Sequence, residues 1–253
     1  MIYRGITTGL NDAFIIDNQT KEALIAEDPR SADILKPVLR GRDIQRFKAE
    51  WKGCWLIATF PPLNLNIDDY PAVKSYLLSF GKQRLEQSGK RLSNGMQSRK
   101  KTSNAWFEIQ DTCAYHEQFL KEKLLWMDLT NQGRFAYVSE PMFAMDTTFM
   151  MGGNSLKYLC AILNNRLTSW FMSTQALTSG MGTARWKQFT VERIPVPHIS
   201  MEEQVPIITV VDRILLSKSI GIDTSTLELE IDSLIYELYG LTPEEILLLK
   251  ERS

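Results

Sequence analysis

The segment Ile194-Pro195-Val196-Pro197 constrains this 253-residue chain more than any other. Each proline fixes its own φ at about −65° and pushes the residue before it out of the helical region. The segment is therefore a stiff extended connector that no helix can cross. It divides the chain into a body, residues 1–197, and a tail, residues 198–253, and the two halves follow different rules.

The tail reads as helices. Ser200-Met201-Glu202-Glu203 and Ser225-Thr226-Leu227-Glu228 carry a hydroxyl and a carboxylate at capping-box spacing. Thr242-Pro243-Glu244-Glu245 does the same, with Pro243 at the favoured first helical position. Leu227, Ile231, Leu234, Ile235 and Leu238 form one apolar stripe, and Gly240 is a natural stop. Pro206 lies inside the first tail helix, which predicts a kink or a delayed start.

The body reads mainly as short strands and turns. Gly5 and Gly9 punctuate its start. Strand candidates are Ala13–Ile16, Trp55–Ala58 (closed by Pro61-Pro62), Trp106–Ile109, Lys123–Met127, Arg134–Val138 and Phe143–Met151. A helix is predicted from Tyr70, with Pro71 in its first turn and Val73, Tyr76, Leu77 and Phe80 on one face. Ser155 to Met172 reads as one buried helix carrying Leu156, Leu159, Ile162, Leu163, Leu167 and Trp170.

Several function classes are disfavoured. No apolar run approaches the ~20 residues of a membrane span, so no membrane partner is expected. Met1-Ile2-Tyr3-Arg4-Gly5 lacks the pattern of a secretory signal and drops straight into strand-like sequence. That opening reads as the start of a module cut from a longer chain. Cys54, Cys113 and Cys160 are odd in number and far apart, as in a reducing cytoplasm. Cys113 and His116 have a metal-like spacing. With two histidines in the chain and no second cysteine pair, they read as unrelated residues, and no metal site is expected. Glu50-Trp51-Lys52 has the spacing of a nuclease half-site but no clear Pro-Asp partner upstream. Adenine methylation needs a glycine loop for S-adenosylmethionine and an Asn/Asp-Pro-Pro-aromatic tetrapeptide for the flipped base. Phe60-Pro61-Pro62-Leu63 lacks both the polar residue and the final aromatic, so no catalytic residue is assigned in this chain.

Charge points elsewhere. Residues 201–253 hold eleven acidic and four basic side chains, a net of −7. The whole chain is at −1, which leaves +6 on residues 1–200. The densest basic stretch contains Lys82, Arg84, Lys90, Arg91, Arg99, Lys100 and Lys101 against the single acid Glu86. Lysine and arginine neutralise phosphates, while Asn94, Gln97 and Arg99 are the types that pair with adenine or guanine edges. Arg40 and Arg42 belong to a weaker basic group with Arg46, Lys48 and Lys52. Arg185 and Lys187 flank Trp186 after the Ser179–Gly182 turn. Each group reads either as a DNA contact or as a solvated surface, and Trp186 and Trp106 either as a stacking face or as a core anchor.

The motifs then assemble into a resemblance. Arg4-Gly5-Ile6-Thr7-Thr8-Gly9-Leu10-Asn11-Asp12-Ala13-Phe14, Leu35-Lys36-Pro37-Val38-Leu39-Arg40-Gly41-Arg42-Asp43-Ile44, Tyr158–Leu167 and Phe189–Pro197 resemble, in order, the signatures of the TaqI-like C-terminal specificity domain. That domain occurs in type IIG restriction–modification enzymes and related adenine-N6 DNA methyltransferases. The tail is also similar to the spacer helices of type I specificity subunits. The resemblance implies an α/β (α+β) fold: a mixed-sheet target-recognition domain, 1–197, followed by a C-terminal helical segment, 198–253. It implies a module that reads a short site in double-stranded DNA through the major groove. It further implies, as a partner, an N-terminal methyltransferase domain using S-adenosylmethionine, with Mg in any nuclease domain and no cofactor in this chain. The other expectation is a helical docking module of a restriction–modification complex.

Overall fold

The computed structural model describes residues 1–130, 133–175 and 186–251. In chain order the body contains β1 (Ile2–Arg4), α1 (Asn11–Phe14), β2 (Ile15–Ile16), α2 (Asn18–Glu27), β3 (Leu35–Leu39), β4 (Trp55–Ile57), α3 (Pro71–Leu78) and α4 (Lys82–Leu85). It continues with β5 (Lys123–Met127), β6 (Phe135–Val138), β7 (Phe143–Ala144), β8 (Thr148–Met151), α5 (Leu156–Asn164), α6 (Arg166–Gln175) and α7 (Gln188–Val191). The tail is α8 (Met201–Ser219), α9 (Ser225–Leu238) and α10 (Pro243–Glu251). The mixed α/β class is as expected.

The strands form two four-stranded sheets. One is antiparallel, in the order β1-β8-β5-β6; the other runs β2-β4-β3-β7 and is closed by the parallel pair β3–β7. The antiparallel sheet is buried on both faces, and its alternation shows why. Leu125, Ala136, Val138, Met150 and Tyr3 face a core shared with the second sheet. Leu124, Trp126, Phe135, Phe149 and Ile2 face a second core built with α5, α8 and α9. With a side-chain period of two, every strand must carry apolar residues at consecutive positions to fill both cores. Trp126 holds the second core's centre, stacked on Phe149 at 5.6 Å and tilted against Phe135 at 5.3 Å. Gly5 lets the chain pass β7: a Cβ there would stand 2.0 Å from the Met145 carbonyl oxygen.

The tail's apolar stripe is spent within this chain. Ile231 and Ile235 are buried in the second core, and Leu227, Leu234 and Leu238 pack against it. A polar seam reinforces the contact. Arg46 pairs with Glu228 at 3.1 Å, Lys218 pairs with the same carboxylate at 2.9 Å, and Lys48 donates to the Lys218 carbonyl at 2.9 Å. Capping boxes form at Ser200/Glu203 and Thr242/Glu245. Thr224, rather than Ser225, stands at the N-cap of α9, its hydroxyl donating to Glu228 at 2.7 Å.

The structure departs from the sequence reading at several points. Ser155–Met172 is two helices, α5 and α6. Extended Asn165 separates them, its side chain drawn to the Asp232 carboxylate at 2.7 Å. Trp106–Ile109 is a turn, because the Glu108 carboxylate accepts from the Ala105 amide at 2.6 Å and closes it. Phe189, at the start of the closing signature, lies in the short helix α7. The first tail helix starts at Met201 and runs through Pro206 without delay. The Ala13–Ile16 run is shared between α1 and β2.

One buried cation makes stability depend on pH. Lys123 is fully buried, its ammonium donating to the Lys121 and Glu140 carbonyls at 2.7 and 2.8 Å. Burial pushes its pKa down to about 8, against an opposing pull from Glu140. The unfolded chain keeps that proton to about 10.4, so between the two values it binds more protons than the native state and stability rises with pH. Urea unfolding across this window should show a flatter rise for Lys123→Met than for the wild type. Parallel profiles would show that the lysine is not depressed.

Candidate nucleic-acid interface

The basic stretch folds as a hairpin standing on the body. After α4, residues 87–102 run out and back as a narrow antiparallel ribbon. Its rungs are Thr102 N–H to the Gln87 carbonyl at 3.1 Å, Gly89 N–H to Arg99 at 2.9 Å, Ser98 N–H to Lys90 at 2.9 Å and Leu92 N–H to Met96 at 2.8 Å. Asn94 closes the tip, its side-chain oxygen accepting from the Met96 amide at 3.1 Å. Gly89 and Gly95 have positive φ, +68° and +81°, where a side chain would be strained.

Two buried polar side chains fasten the ribbon's base. Arg99, only 3% exposed, donates from Nε to Leu85 (2.7 Å), from Nη1 to Thr8 (2.9 Å) and Glu108 (2.7 Å), and from Nη2 to Trp106 (2.6 Å). All four acceptors are backbone carbonyls. Its guanidinium also lies 4.9 Å from the centre of the Phe14 ring. Burial lowers its pKa to about 10, Glu108 pulling it back up, so it stays charged at neutral pH. Gln87 is likewise buried. Its amide donates to Ala105 and Glu108, and its oxygen accepts from Thr102.

This geometry sorts the sequence candidates. Lys82, Lys90, Arg91, Asn94, Gln97, Lys100 and Lys101 are exposed. Among the described residues, Lys90, Arg91, Lys100 and Lys101 form no ion pair within 4 Å. Lys82 lies 6.0 Å from the centre of the Trp106 ring, and that ring is half-buried against the core. Arg84 is half-buried and 3.6 Å from Asp12. Arg99 is corrected: its donors are spent inside the protein, so it shapes the hairpin and is not a base-edge reader.

The weaker groups divide in the same way. Arg40 is committed to a bidentate pair with buried Asp43, at 3.0 and 3.1 Å, and that hydrogen bonding raises its pKa. Arg42, on the same turn, is exposed. Trp186 is a core anchor. Its ring nitrogen donates to Thr130 at 3.1 Å and its ring lies over Gly133, where a Cβ would come within 2.5 Å. Lys187 follows it at the N-cap of α7, half-buried. Arg185 and the Ser179–Gly182 turn lie outside the described residues. Cys113 and His116 do not form a site: the thiol is buried with its pKa pushed up to about 12, and the imidazole stacks on Phe60 at 5.3 Å. Lys52 simply pairs with Glu50 at 2.7 Å.

Backbone contacts link these pieces. Thr7 and Thr8, at the hairpin's foot, accept from Asp111 and Gln110; Asp146 donates to Ile6; Asp128 donates to Thr147; and Trp186 donates to Asp128. Gly41 packs against Thr147 and Met127. The hairpin, the Arg40–Asp43 turn and Lys187 thus sit on one connected set of strand-end loops. Arg134, donating to Gln45 at 3.4 Å, is a further half-exposed cation that the sequence reading did not select. A lone arginine beside a strand carries no signal of its own.

The family model for the TaqI-like C-terminal specificity domain matches residues 36–196. The chain belongs to this family. No curated protein matches its sequence. Solved structures with a similar fold include the type IIL restriction-modification enzyme MmeI in complex with DNA, with a TM-score of 0.68, 14% identity and 99% of this chain covered. The type IIG restriction endonuclease BpuSI aligns with a TM-score of 0.51, 13% identity and 94% of this chain covered. This chain spans 34% and 30% of the length of those two chains. Among the described residues no three His, Cys, Asp or Glu side chains are grouped to hold a metal, and no helix is long and apolar enough to cross a membrane.

Losing the Arg99 anchor should cost more than losing any exposed cation. Arg99→Lys keeps the charge but cannot serve four carbonyls from one ammonium, leaving buried acceptors unpaired at ~1–3 kcal/mol each. A thermal melt should show a large fall for Arg99→Lys and little change for Lys100→Ala. Equal melting temperatures would refute the anchoring role.

Proposed function

We propose that this TaqI-like specificity domain is the DNA-reading module of a longer restriction–modification enzyme with adenine-N6 methyltransferase activity. The observation that carries the reading is the exposed, unpaired cation set on a hairpin whose base is locked into the core. A ribbon held in this way presents Lys90, Lys100 and Lys101 to phosphates, and the major groove is wide enough to admit two strands. Phosphate contacts set register and affinity; polar side chains on the ribbon read bases. Arg42, Arg134 and Lys187 extend the phosphate track.

The residues present do not fit capture of a flipped adenine: Pro61–Leu63 is a tight turn behind buried Phe60, with no Asn or Asp before the proline pair and no aromatic after it. Methyl transfer is therefore assigned to another domain of the parent protein, and so is any Mg-dependent cleavage. The division is physically sensible, because a pocket that captures a flipped base sees little beyond that base, and neighbouring bases must be read elsewhere. The cytoplasm, where the target DNA lies, is the proposed location.

The test is binding to a random duplex pool at low salt, followed by sequencing of the bound fraction. Enrichment of a short motif is the expected result; no binding even at low salt would overturn the reading. Replacing both Lys100 and Lys101 by alanine should weaken binding to all sequences alike. It should also reduce the slope of log affinity against log salt by about 2, close to one per lost phosphate contact. An unchanged slope would remove these lysines from the phosphate track.

A further inference from the structure

The hairpin's hydrogen-bond pattern singles out one pair of side chains. Arg91 and Gln97 are bridge partners across the ribbon. The flanking rungs join Ser98 to Lys90 and Leu92 to Met96, so residues 91 and 97 exchange no backbone bond with each other. In an antiparallel ladder this is the close-spaced class of pair, with Cα atoms about 4.5 Å apart and side chains leaving the same face together. Both residues are exposed. Their neighbours are engaged differently: Ser98 is buried, bonding Ser88 and the Lys90 backbone, and Asn94 has its oxygen committed to the tip. Beyond the pair the alternation of the return strand breaks: Ser98 and Arg99 are both buried, while Gln97 remains outside.

We infer that Arg91 and Gln97 act as one base-reading couple, contacting two neighbouring base pairs of the target. The inference rests on the DNA-reading role proposed above and adds which side chains discriminate. Arginine pairs bidentately with the O6 and N7 of guanine, and glutamine with the N6 and N7 of adenine. Side chains about 5 Å apart at their Cβ atoms match a single base-pair step better than a wider gap. The ligand chemistry expected is therefore a guanine and an adenine at adjacent steps, flanked by phosphates that meet Lys90, Lys100 and Lys101. Both side chains are exposed and, among the described residues, neither makes an ion pair or a side-chain hydrogen bond, so they can be changed without disturbing the Arg99 anchor.

The experiment is selection from random duplexes with the full chain and three variants, Arg91→Ala, Gln97→Ala and Gln97→Arg, each checked for an unchanged melting temperature. Each alanine variant should lose about tenfold or more of the preference at one position, the two positions being adjacent, and keep the rest of the motif. Gln97→Arg should turn an adenine preference towards guanine at that same position. Retention of the full wild-type motif by both alanine variants would overturn the inference and assign base reading to other side chains. Salt-sensitive binding by the wild type without any enriched motif would also overturn it, because the couple would then read nothing. A wild type that does not bind DNA at all would fail the proposed function itself, so the two failures are distinguishable.

Discussion

A guanidinium can be buried only where its nitrogens meet acceptors, and each of the three nitrogens of Arg99 does so, with four carbonyls from three separate segments. Leu85 ends α4, Thr8 belongs to the opening loop, and Trp106 and Glu108 belong to the turn after the hairpin. Apolar side chains such as Leu85 and Ile109 bury these segments in the main core, and the arginine adds a polar tie that fixes them relative to one another. Without it the hairpin would have only four backbone rungs and the Gln87 clamp to define its direction, and an isolated two-stranded ribbon is marginal in water.

The antiparallel sheet plays the corresponding part on a larger scale. Because both of its faces are covered, it couples the strand-end loops and hairpin on one core to the tail helices on the other. The Arg46–Glu228–Lys218 cluster closes that coupling at the rim; burial works against the Glu228 charge, but Arg46, Thr224 and Lys218 together bring its pKa below the ordinary range. The acidic tail thus uses some of its negative charge on body cations, and the body's remaining positive charge is concentrated where the hairpin stands.

Much of this was legible beforehand. The core strands β4, β5, β6 and β8, the helix from Pro71 and two of the three tail capping boxes follow from apolar runs and local capping chemistry. The basic stretch was legible as composition, but its shape was not. Residues 87–102 have neither the alternation nor the β-branched residues that announce a strand; their fold comes from long-range bonds to Thr8, Ala105 and Glu108. The same cause split Ser155–Met172, since Asn165 leaves the helix to meet Asp232 across the second core. It also reassigned Arg99, whose residue type suits both guanine recognition and a buried carbonyl cluster. Sequence alone offers no way to choose between these uses, because the acceptors are backbone atoms that any residue supplies.

That last property has an evolutionary consequence. The anchor grips main-chain carbonyls, which are the same whatever side chains surround them, and the tip itself asks only for Asn94 and Gly95. The other positions from 91 to 97 can change their lettering while the attachment is kept. If the hairpin reads DNA as proposed, a scaffold built in this way separates the inheritance of a fold from the inheritance of a target.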